Sequence, residues 1–174
     1  MNRSEKYTLP ARILHWLTAL AILTAFFIAL SIDGKPLHTK FLLINYHKWA
    51  GITVLGLVIL RVLWRLTHRP PELPDHMANW EKRIAHGGHG LLYILMIAVP
   101  IGGWLYSSAL GFPIVWFSVV HLPNLVAKDK ALADMIGPVH EAAAWTLIIV
   151  ALLHAAAAIK HHFIDRDNVL KRML

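Results

Sequence analysis

Four long apolar runs, separated by shorter polar segments, set the pattern of this chain. An α-helix rises about 1.5 Å per residue, so about 20 apolar residues cross the roughly 30 Å hydrocarbon core of a bilayer. Each run is close to or above that length, and the pattern predicts an all-α integral membrane protein, a four-helix bundle forming one domain over residues 1–174. The predicted helices cover residues 11–32, 42–66, 84–106 and 138–163.

The segments between the later runs differ in character. Residues 67–80 contain Arg69-Pro70-Pro71 and Pro74, which break a helix and predict a linker. Residues 110–137 are longer, and they are predicted to lie on the opposite side of the membrane. Within them, residues 124–135 are expected to form a short amphipathic helix on the membrane surface.

The composition supports a membrane protein. Hydrophobic residues make up 57% of the 174 residues and charged residues 16%, which is too apolar for an ordinary soluble domain. The net charge is +7 and would suit nucleic acid if the basic residues formed one soluble face. They flank the apolar runs instead, so the expected partner is the lipid bilayer, and no nucleic acid is expected.

The basic residues are divided unevenly between the two sides of the predicted bundle. The side with both termini and the linker carries Arg3, Lys6, Arg12, Arg61, Arg65, Arg69, Lys82, Arg83, Lys160, Arg166, Lys171 and Arg172. The other side carries Lys35, Lys40, Lys48, Lys128 and Lys130. Because basic residues concentrate on the cytoplasmic side, twelve against five predicts a multi-pass protein of the bacterial inner membrane with both termini in the cytoplasm.

Cysteine and histidine usage narrows the chemistry. The chain has no cysteine and twelve histidines. Disulfides, thiolate-ligated haem, covalently attached haem and cysteine-held iron–sulfur clusters are therefore excluded. Histidine is the natural ligand for any group that the protein binds.

His140 and His154 lie on one face of the last predicted helix. Fourteen residues separate them, which corresponds to a rise of roughly 21 Å and to four helical turns less about 40°. An imidazole at membrane depth is costly unless it is paired or ligated, so two on one face predict a functional site. The alternative is two core histidines that are hydrogen-bonded to backbone carbonyls.

Helix direction alternates along the chain, so position within each run gives depth. His15 and His154 then share the cytoplasmic level, and His47 and His140 share the outer level. Two facing imidazoles are the axial ligand set of a b-type haem. These pairs predict two b haems between the helices, with iron held by His15 and His154 at the inner site and by His47 and His140 at the outer one. Zinc is a weaker option because the pairs are too far apart for one tetrahedral site.

Other histidines lie near the cytoplasmic level. His86 and His89, at i and i+3, are alternatives to His15 or His154 as an inner ligand. Their position at the headgroup level suits a polar ligand or a haem propionate better. His161 and His162, together with Arg61 and Arg65, are candidates for a proton-delivering quinone pocket; the alternative is interfacial side chains that extend to water. The remaining histidines are expected in solvated loops: His38, His68, His76 and His121.

The order of these motifs resembles the prokaryotic cytochrome b561 family, whose best understood members are superoxide:ubiquinone oxidoreductases. The resemblance covers essentially the whole chain. It rests on Ile13-Leu14-His15-Trp16-Leu17, His47 with Gly51-Ile52, Ala85-His86-x-x-His89, His140-Glu141, Leu153-His154-Ala155-Ala156-Ala157-Ala158, and the ending His161-His162-Phe163 with Asp167-Asn168. It implies a four-helix membrane bundle with two b haems on the four paired histidines, and it leaves His86, His89 and His161 for the quinone side.

The leading functional hypothesis is therefore superoxide oxidation coupled to ubiquinone reduction. Superoxide would deliver electrons at the outer haem, and ubiquinone would collect them at the inner end with protons. Lys48, Lys128 and Lys130 are inferred to guide the anion, independently of any family motif.

The alternative is a relay subunit that exchanges electrons between the quinone pool and a periplasmic redox protein docked at Trp116-Phe117. A haem-free channel is permitted by the apolar runs alone, but the paired histidines make it a poor explanation of the sequence.

Overall fold

The computed structural model describes residues 6–74 and 77–174. It is a bundle of four long helices, and the predicted fold class is confirmed. The helices are α1 (Leu9–Leu30), α2 (Leu37–Thr67), α3 (Asn79–Ala109) and α4 (Lys130–Phe163). A two-stranded hairpin, β1 (Val115–Trp116) and β2 (Val120–His121), precedes α4, and a 3-10 helix follows it at Leu170–Arg172. The predictions for Arg3 and His76 concern positions outside the described residues.

All four helices are long and apolar enough to cross a membrane. We call the end of the bundle where α1 begins and α4 ends the terminal end, and the opposite end, with the β-hairpin, the hairpin end. Large apolar side chains are exposed along every helix, for example Leu20, Leu60, Ile94 and Leu152. Such an apolar exterior is expected of helices that face lipid.

The helices extend beyond the apolar runs, because hydropathy marks the membrane-spanning part and capping marks the helix end. α4 begins at Lys130, and Pro138, the predicted start, lies inside it. The Asp129 carboxylate caps this earlier start by accepting a hydrogen bond from the Leu132 amide at 3.1 Å. The predicted separate amphipathic helix over residues 124–135 was therefore wrong, since residues 130–135 are the first turns of α4.

Three histidines predicted to lie in loops have more defined positions. His38 is in the first turn of α2, exposed, so its placement in a loop was wrong. His68 ends α2 and stacks on the Trp64 ring, with centroids 4.0 Å apart. His121 belongs to β2 and is exposed.

The buried core lies in the middle of the bundle. α1 packs along α2 and α3 along α4, and a smaller contact joins α2 to α3. Six buried apolar side chains from three helices form the central cluster: Val54, Val58, Leu92, Leu95, Met96 and Leu147. Thr18, fully buried on α1, satisfies its hydroxyl by donating to the Leu14 carbonyl at 2.6 Å.

Two tryptophans fix the β-hairpin to α2. The Trp49 indole donates to the Val115 carbonyl at 2.7 Å. In return the Trp116 indole lies 3.3 Å from the Trp49 carbonyl and 3.2 Å from the Thr53 hydroxyl. The hairpin turn holds Phe117 at φ +48°, a conformation that bulky residues rarely adopt. These contacts stabilise a loop that the hydropathy pattern did not predict to be ordered.

The C-terminal segment folds back onto the start of α1. The Tyr7 amide donates to the Arg172 carbonyl at 3.1 Å. The Trp16 indole donates to the Met173 carbonyl at 2.9 Å. Asp167 starts the turn before the 3-10 helix, because its carboxylate accepts from the Val169 amide at 2.9 Å. The terminal end is thus closed by contacts between the two ends of the described chain.

We predict that Trp16→Phe loosens the C-terminal segment while leaving the bundle intact. The change removes one hydrogen bond, worth about 0.5–1.5 kcal/mol, so amides of residues 170–174 should exchange with deuterium about two- to tenfold faster. Mass spectrometry of the detergent-solubilised protein measures this rate. The control is Trp80→Phe, at an exposed tryptophan in the first turn of α3. Equal acceleration in both variants would contradict the prediction.

Candidate functional site

His47 on α2 and His140 on α4 form a ring pair at the hairpin end. Their centroids are 6.2 Å apart and the rings are nearly perpendicular, at 79°. His47 Nδ1 lies 2.9 Å from the Ala25 carbonyl oxygen, and His140 Nδ1 lies 3.0 Å from that of Val99. Since a carbonyl only accepts, each Nδ1 carries the proton and donates it. Each Nε2 therefore keeps a lone pair for a metal.

Glycines leave room around this pair. A Cβ at Gly103 on α3 would lie 2.9 Å from His140 Cε1, too close for any side chain. At the neighbouring Gly102 it would lie 3.8 Å from His140 Nδ1, an ordinary contact. Gly51 is one turn from His47 on α2, and a Cβ there would meet no described atom within 4 Å. The His140 ring thus depends on Gly103, and the His47 face of α2 is open.

His15 on α1 and His154 on α4 form the pair at the terminal end. Their ring centroids are 6.3 Å apart, and His89 on α3 lies closer to His154, at 5.2 Å. Arg61 on α2 completes the group, with Nη2 3.2 Å from His15 Nδ1. A guanidinium only donates, so His15 Nδ1 accepts here, and the proton of the neutral ring is on Nε2. This differs from the hairpin-end pair, in which both Nδ1 atoms donate.

The donor set and spacing of both pairs fit an ion with two axial imidazoles. A metal–imidazole nitrogen bond is about 2 Å, and the ring centroid lies about 1 Å behind the nitrogen, so two such rings have centroids about 6 Å apart. Neutral imidazoles on opposite faces are a haem iron ligand set. The hairpin-end pair fits as it stands. At the terminal end, ligation through His15 Nε2 requires the ring proton to move to Nδ1.

A cavity of about 280 Å³ opens beside the terminal-end pair. It is lined by Val62, Arg65, His86, His89, Gly90 and Tyr93. Both arginines of α2 lie over the Tyr93 ring, with Cζ to centroid distances of 5.4 Å for Arg61 and 5.7 Å for Arg65. Tyr7 reaches the same group from the segment before α1, and burial raises the pKa of its phenol.

The structure separates the three histidines assigned to the quinone side. His86 and His89 line the cavity, whereas His161, among the described residues, is not part of its wall. His161 Nδ1 lies instead 2.7 Å from Asp167 Oδ2 and 3.0 Å from Asp165 Oδ2. Lys160 Nζ is also bonded to Asp165, at 2.8 Å. His161 thus belongs to a charged cluster at the end of α4.

Two of the three lysines predicted to guide an anion lie around one loop. Lys48 Nζ is 5.8 Å from the Phe112 ring centroid. Lys128 packs against Gly111, where a Cβ would lie 3.0 Å from Lys128 Cδ and where φ is +80°. Lys130 is different, because its ammonium forms an exposed ion pair with Asp134 at 2.7 Å. Of these three lysines, Lys48 and Lys128 therefore have no ion pair among the described residues, whereas the charge of Lys130 is paired.

Sequence reasoning missed the supports of the histidine rings. Gly103 and the carbonyls of Ala25 and Val99 carry no side-chain signal, and their roles depend on how the helices pack. Arg61 was assigned to a quinone pocket, but it contacts His15 directly. A spacing signal was present, because Arg61 follows His47 by the same fourteen residues that separate His140 from His154.

Comparison with known proteins supplies the family. The prokaryotic cytochrome b561 family matches residues 6–174. The chain is 34% identical to cytochrome b561 homolog 2 of Escherichia coli K12, over 99% of this chain and 93% of the relative. It is 29% identical to a protein of Yersinia pestis named probable superoxide oxidase CybB, over 98% and 96% of the two chains. The chain therefore belongs to the prokaryotic cytochrome b561 family, membrane electron-transfer proteins that bind b-type haem.

Proposed function

We propose that this protein holds two b haems and oxidises superoxide at the hairpin end while reducing ubiquinone at the terminal end. The reaction balances as two superoxide ions, one quinone and two protons giving two dioxygen molecules and one quinol. The observation that carries this function is a histidine pair at each end of one bundle, with centroids 6.2 and 6.3 Å apart. Haem bound at these pairs supplies one-electron transfer.

His47 and His140 are the proposed axial ligands at the hairpin end, and His15 and His154 at the terminal end. The carbonyls of Ala25 and Val99 orient the first pair by accepting from Nδ1, which leaves both Nε2 lone pairs available to hold a haem iron. His89 is the competing ligand at the terminal end because its ring is also close to that of His154. A haem held by two histidines would transfer electrons without binding oxygen.

Lys48 and Lys128 are proposed to attract superoxide to the hairpin end. Their contacts with Phe112 and Gly111 bring both cations to one loop, and positive charge raises the encounter rate of a small anion. Lys130 contributes less because Asp134 neutralises it. With Lys35 and Lys40 on the same side, the charge distribution supports the proposal that this end faces the periplasm and the termini the cytoplasm, in the bacterial inner membrane.

Ubiquinone is proposed to bind at the terminal end, in the 280 Å³ cavity beside His89. His86 and His89 offer ring nitrogens to the quinone oxygens, and Arg65 and Tyr93 line the same wall. His161 is proposed to deliver protons from the aqueous side, since Asp165 and Asp167 hold its ring at 3.0 and 2.7 Å. The name of the Yersinia pestis relative supports the choice of superoxide as electron donor.

We predict that superoxide reduces the purified, quinone-loaded protein and that quinol accumulates at one molecule per two superoxide ions. Stopped-flow absorbance at the haem α-band and extraction of the quinol measure the two events. A haem spectrum that superoxide leaves unchanged but quinol reduces would contradict this function. That result would favour the relay between the quinone pool and a periplasmic partner.

Lysine variants test whether positive charge at the hairpin end attracts superoxide. In water, a unit charge about 10 Å away is worth about 0.4 kcal/mol, so Lys48→Gln and Lys128→Gln should each slow superoxide consumption about twofold. The effect should vanish at high salt, where charges are screened. Lys130→Gln, already paired with Asp134, should change the rate least.

We predict that single histidine substitutions remove the haems pairwise. His15→Ala and His154→Ala should each remove the terminal-end haem, and His47→Ala and His140→Ala the other, because each iron requires both imidazoles. Pyridine haemochrome content should fall from two haems to one in each case. His89→Ala is the test of the competing ligand: if it removes the haem that His154→Ala removes, and His15→Ala does not, the proposed pairing is wrong.

We predict that Gly103→Ala perturbs the hairpin-end haem, whereas Gly102→Ala does not. The new methyl would lie 2.9 Å from His140 Cε1 at position 103 and 3.8 Å from Nδ1 at position 102. Gly103→Ala should therefore displace the ring and lower the occupancy of one haem by half or more. Haem content and the electron paramagnetic resonance signal of each ferric haem measure this. Equal haem content and identical signals in both variants would contradict the predicted role of Gly103.

A further inference from the structure

Arg61 occupies a position equivalent to a haem ligand. It follows His47 by fourteen residues on α2, as His154 follows His140 on α4, so both helices present two polar groups on one face. His15, His89 and His154 lie at the same end of the bundle, on α1, α3 and α4. At this level α2 contributes the Arg61 guanidinium, whereas each of the other three helices contributes an imidazole.

No carboxylate among the described residues neutralises the charge of Arg61. Its described contacts are His15 Nδ1 at 3.2 Å from Nη2, the Met96 sulfur at 3.9 Å from Nη1, and the Tyr93 ring. Within residues 6–74 and 77–174, no Asp or Glu forms an ion pair with it. A guanidinium stays protonated at any physiological pH. The side chain is therefore a fixed positive charge in an apolar bundle.

A fixed cation acts unequally on the two oxidation states of a neighbouring iron. The ferric state carries one more positive charge than the ferrous state, so repulsion from Arg61 disfavours the ferric state more. The apolar surroundings strengthen this effect. At the other end, Lys48 interacts electrostatically with its sequence neighbour His47, but its ammonium lies over the Phe112 ring and makes no described hydrogen bond to either histidine of that pair.

We propose that Arg61 raises the reduction potential of the terminal-end haem above that of the hairpin-end haem. Electrons that enter at the hairpin end then move downhill toward the quinone cavity, and the return step is disfavoured. Arg61 acts on the haem through its charge and does not contact superoxide or quinone. This inference rests on the proposed function, because it requires a haem at the His15–His154 pair. It uses the charge of Arg61 and not its hydrogen bond, because Nδ1 of an iron-bound His15 carries the proton and no longer accepts from the guanidinium.

The test is a spectroelectrochemical titration of the purified holoprotein with Arg61→Gln, Arg61→Lys and Arg83→Gln. In Arg61→Gln, the midpoint potential of one of the two transitions should fall by at least about 59 mV, which is a tenfold change in a one-electron equilibrium. The midpoint potential of the other transition should not change. Arg61→Lys keeps the charge and should restore most of the potential. Arg83→Gln is the control, since Arg83 is an exposed cation of α3 at the same end of the bundle, outside the wall of the cavity.

The outcomes separate the inference from the function on which it rests. If the wild type holds two haems and oxidises superoxide, but neither transition moves in Arg61→Gln, the tuning role is wrong and the function stands. If the wild type holds fewer than two haems, the proposed function fails first. If Arg61→Gln loses a haem, Arg61→Met supplies the neutral variant. Loss of a haem in both, with retention in Arg61→Lys, would make Arg61 a requirement for binding and overturn its assignment as a tuning residue.

Discussion

The structure depends on how imidazole rings are satisfied inside an apolar bundle. A polar ring at membrane depth needs a partner for each nitrogen. At the hairpin end, backbone carbonyls of α1 and α3 accept from His47 and His140. Those carbonyls lie within helical segments, so the rings depend on α1 and α3 being packed against their neighbours. The packing of α1 and α3 therefore sets the orientation of the His47 and His140 rings.

The two ends of the bundle differ in the groups that contact the histidine rings. The hairpin end uses neutral acceptors, and it has a glycine on α3 where a larger residue would strike the His140 ring. The terminal end places a guanidinium against His15 and a third histidine against His154. Backbone carbonyls beside one pair and a guanidinium beside the other favour different oxidation states of a haem bound there. This asymmetry between the two pairs is what the proposed direction of electron flow requires.

The ends of the bundle are supported by contacts outside the apolar core. The central apolar core is small, with six clustered side chains from three helices, so the ends of the helices need other support. At one end the β-hairpin is fixed by reciprocal tryptophan hydrogen bonds to α2. At the other, the C-terminal segment returns to Trp16, the neighbour of His15. Each support lies close in sequence to a histidine of a pair, so it also restricts how far that part of the helix can move.

The sequence by itself determined the fold class and the histidines that meet. Hydropathy defines four helices because a bilayer demands about 20 apolar residues per crossing, and fourteen-residue spacing with alternating direction brings His47 to His140 and His15 to His154. The tertiary structure decided the rest. The start of α4 at Lys130, the ordered hairpin, Gly103 beside His140 and Arg61 beside His15 all depend on contacts between segments distant in sequence. One-dimensional patterns record burial and spacing, whereas the orientation of a ring or a guanidinium is set by the neighbouring helix.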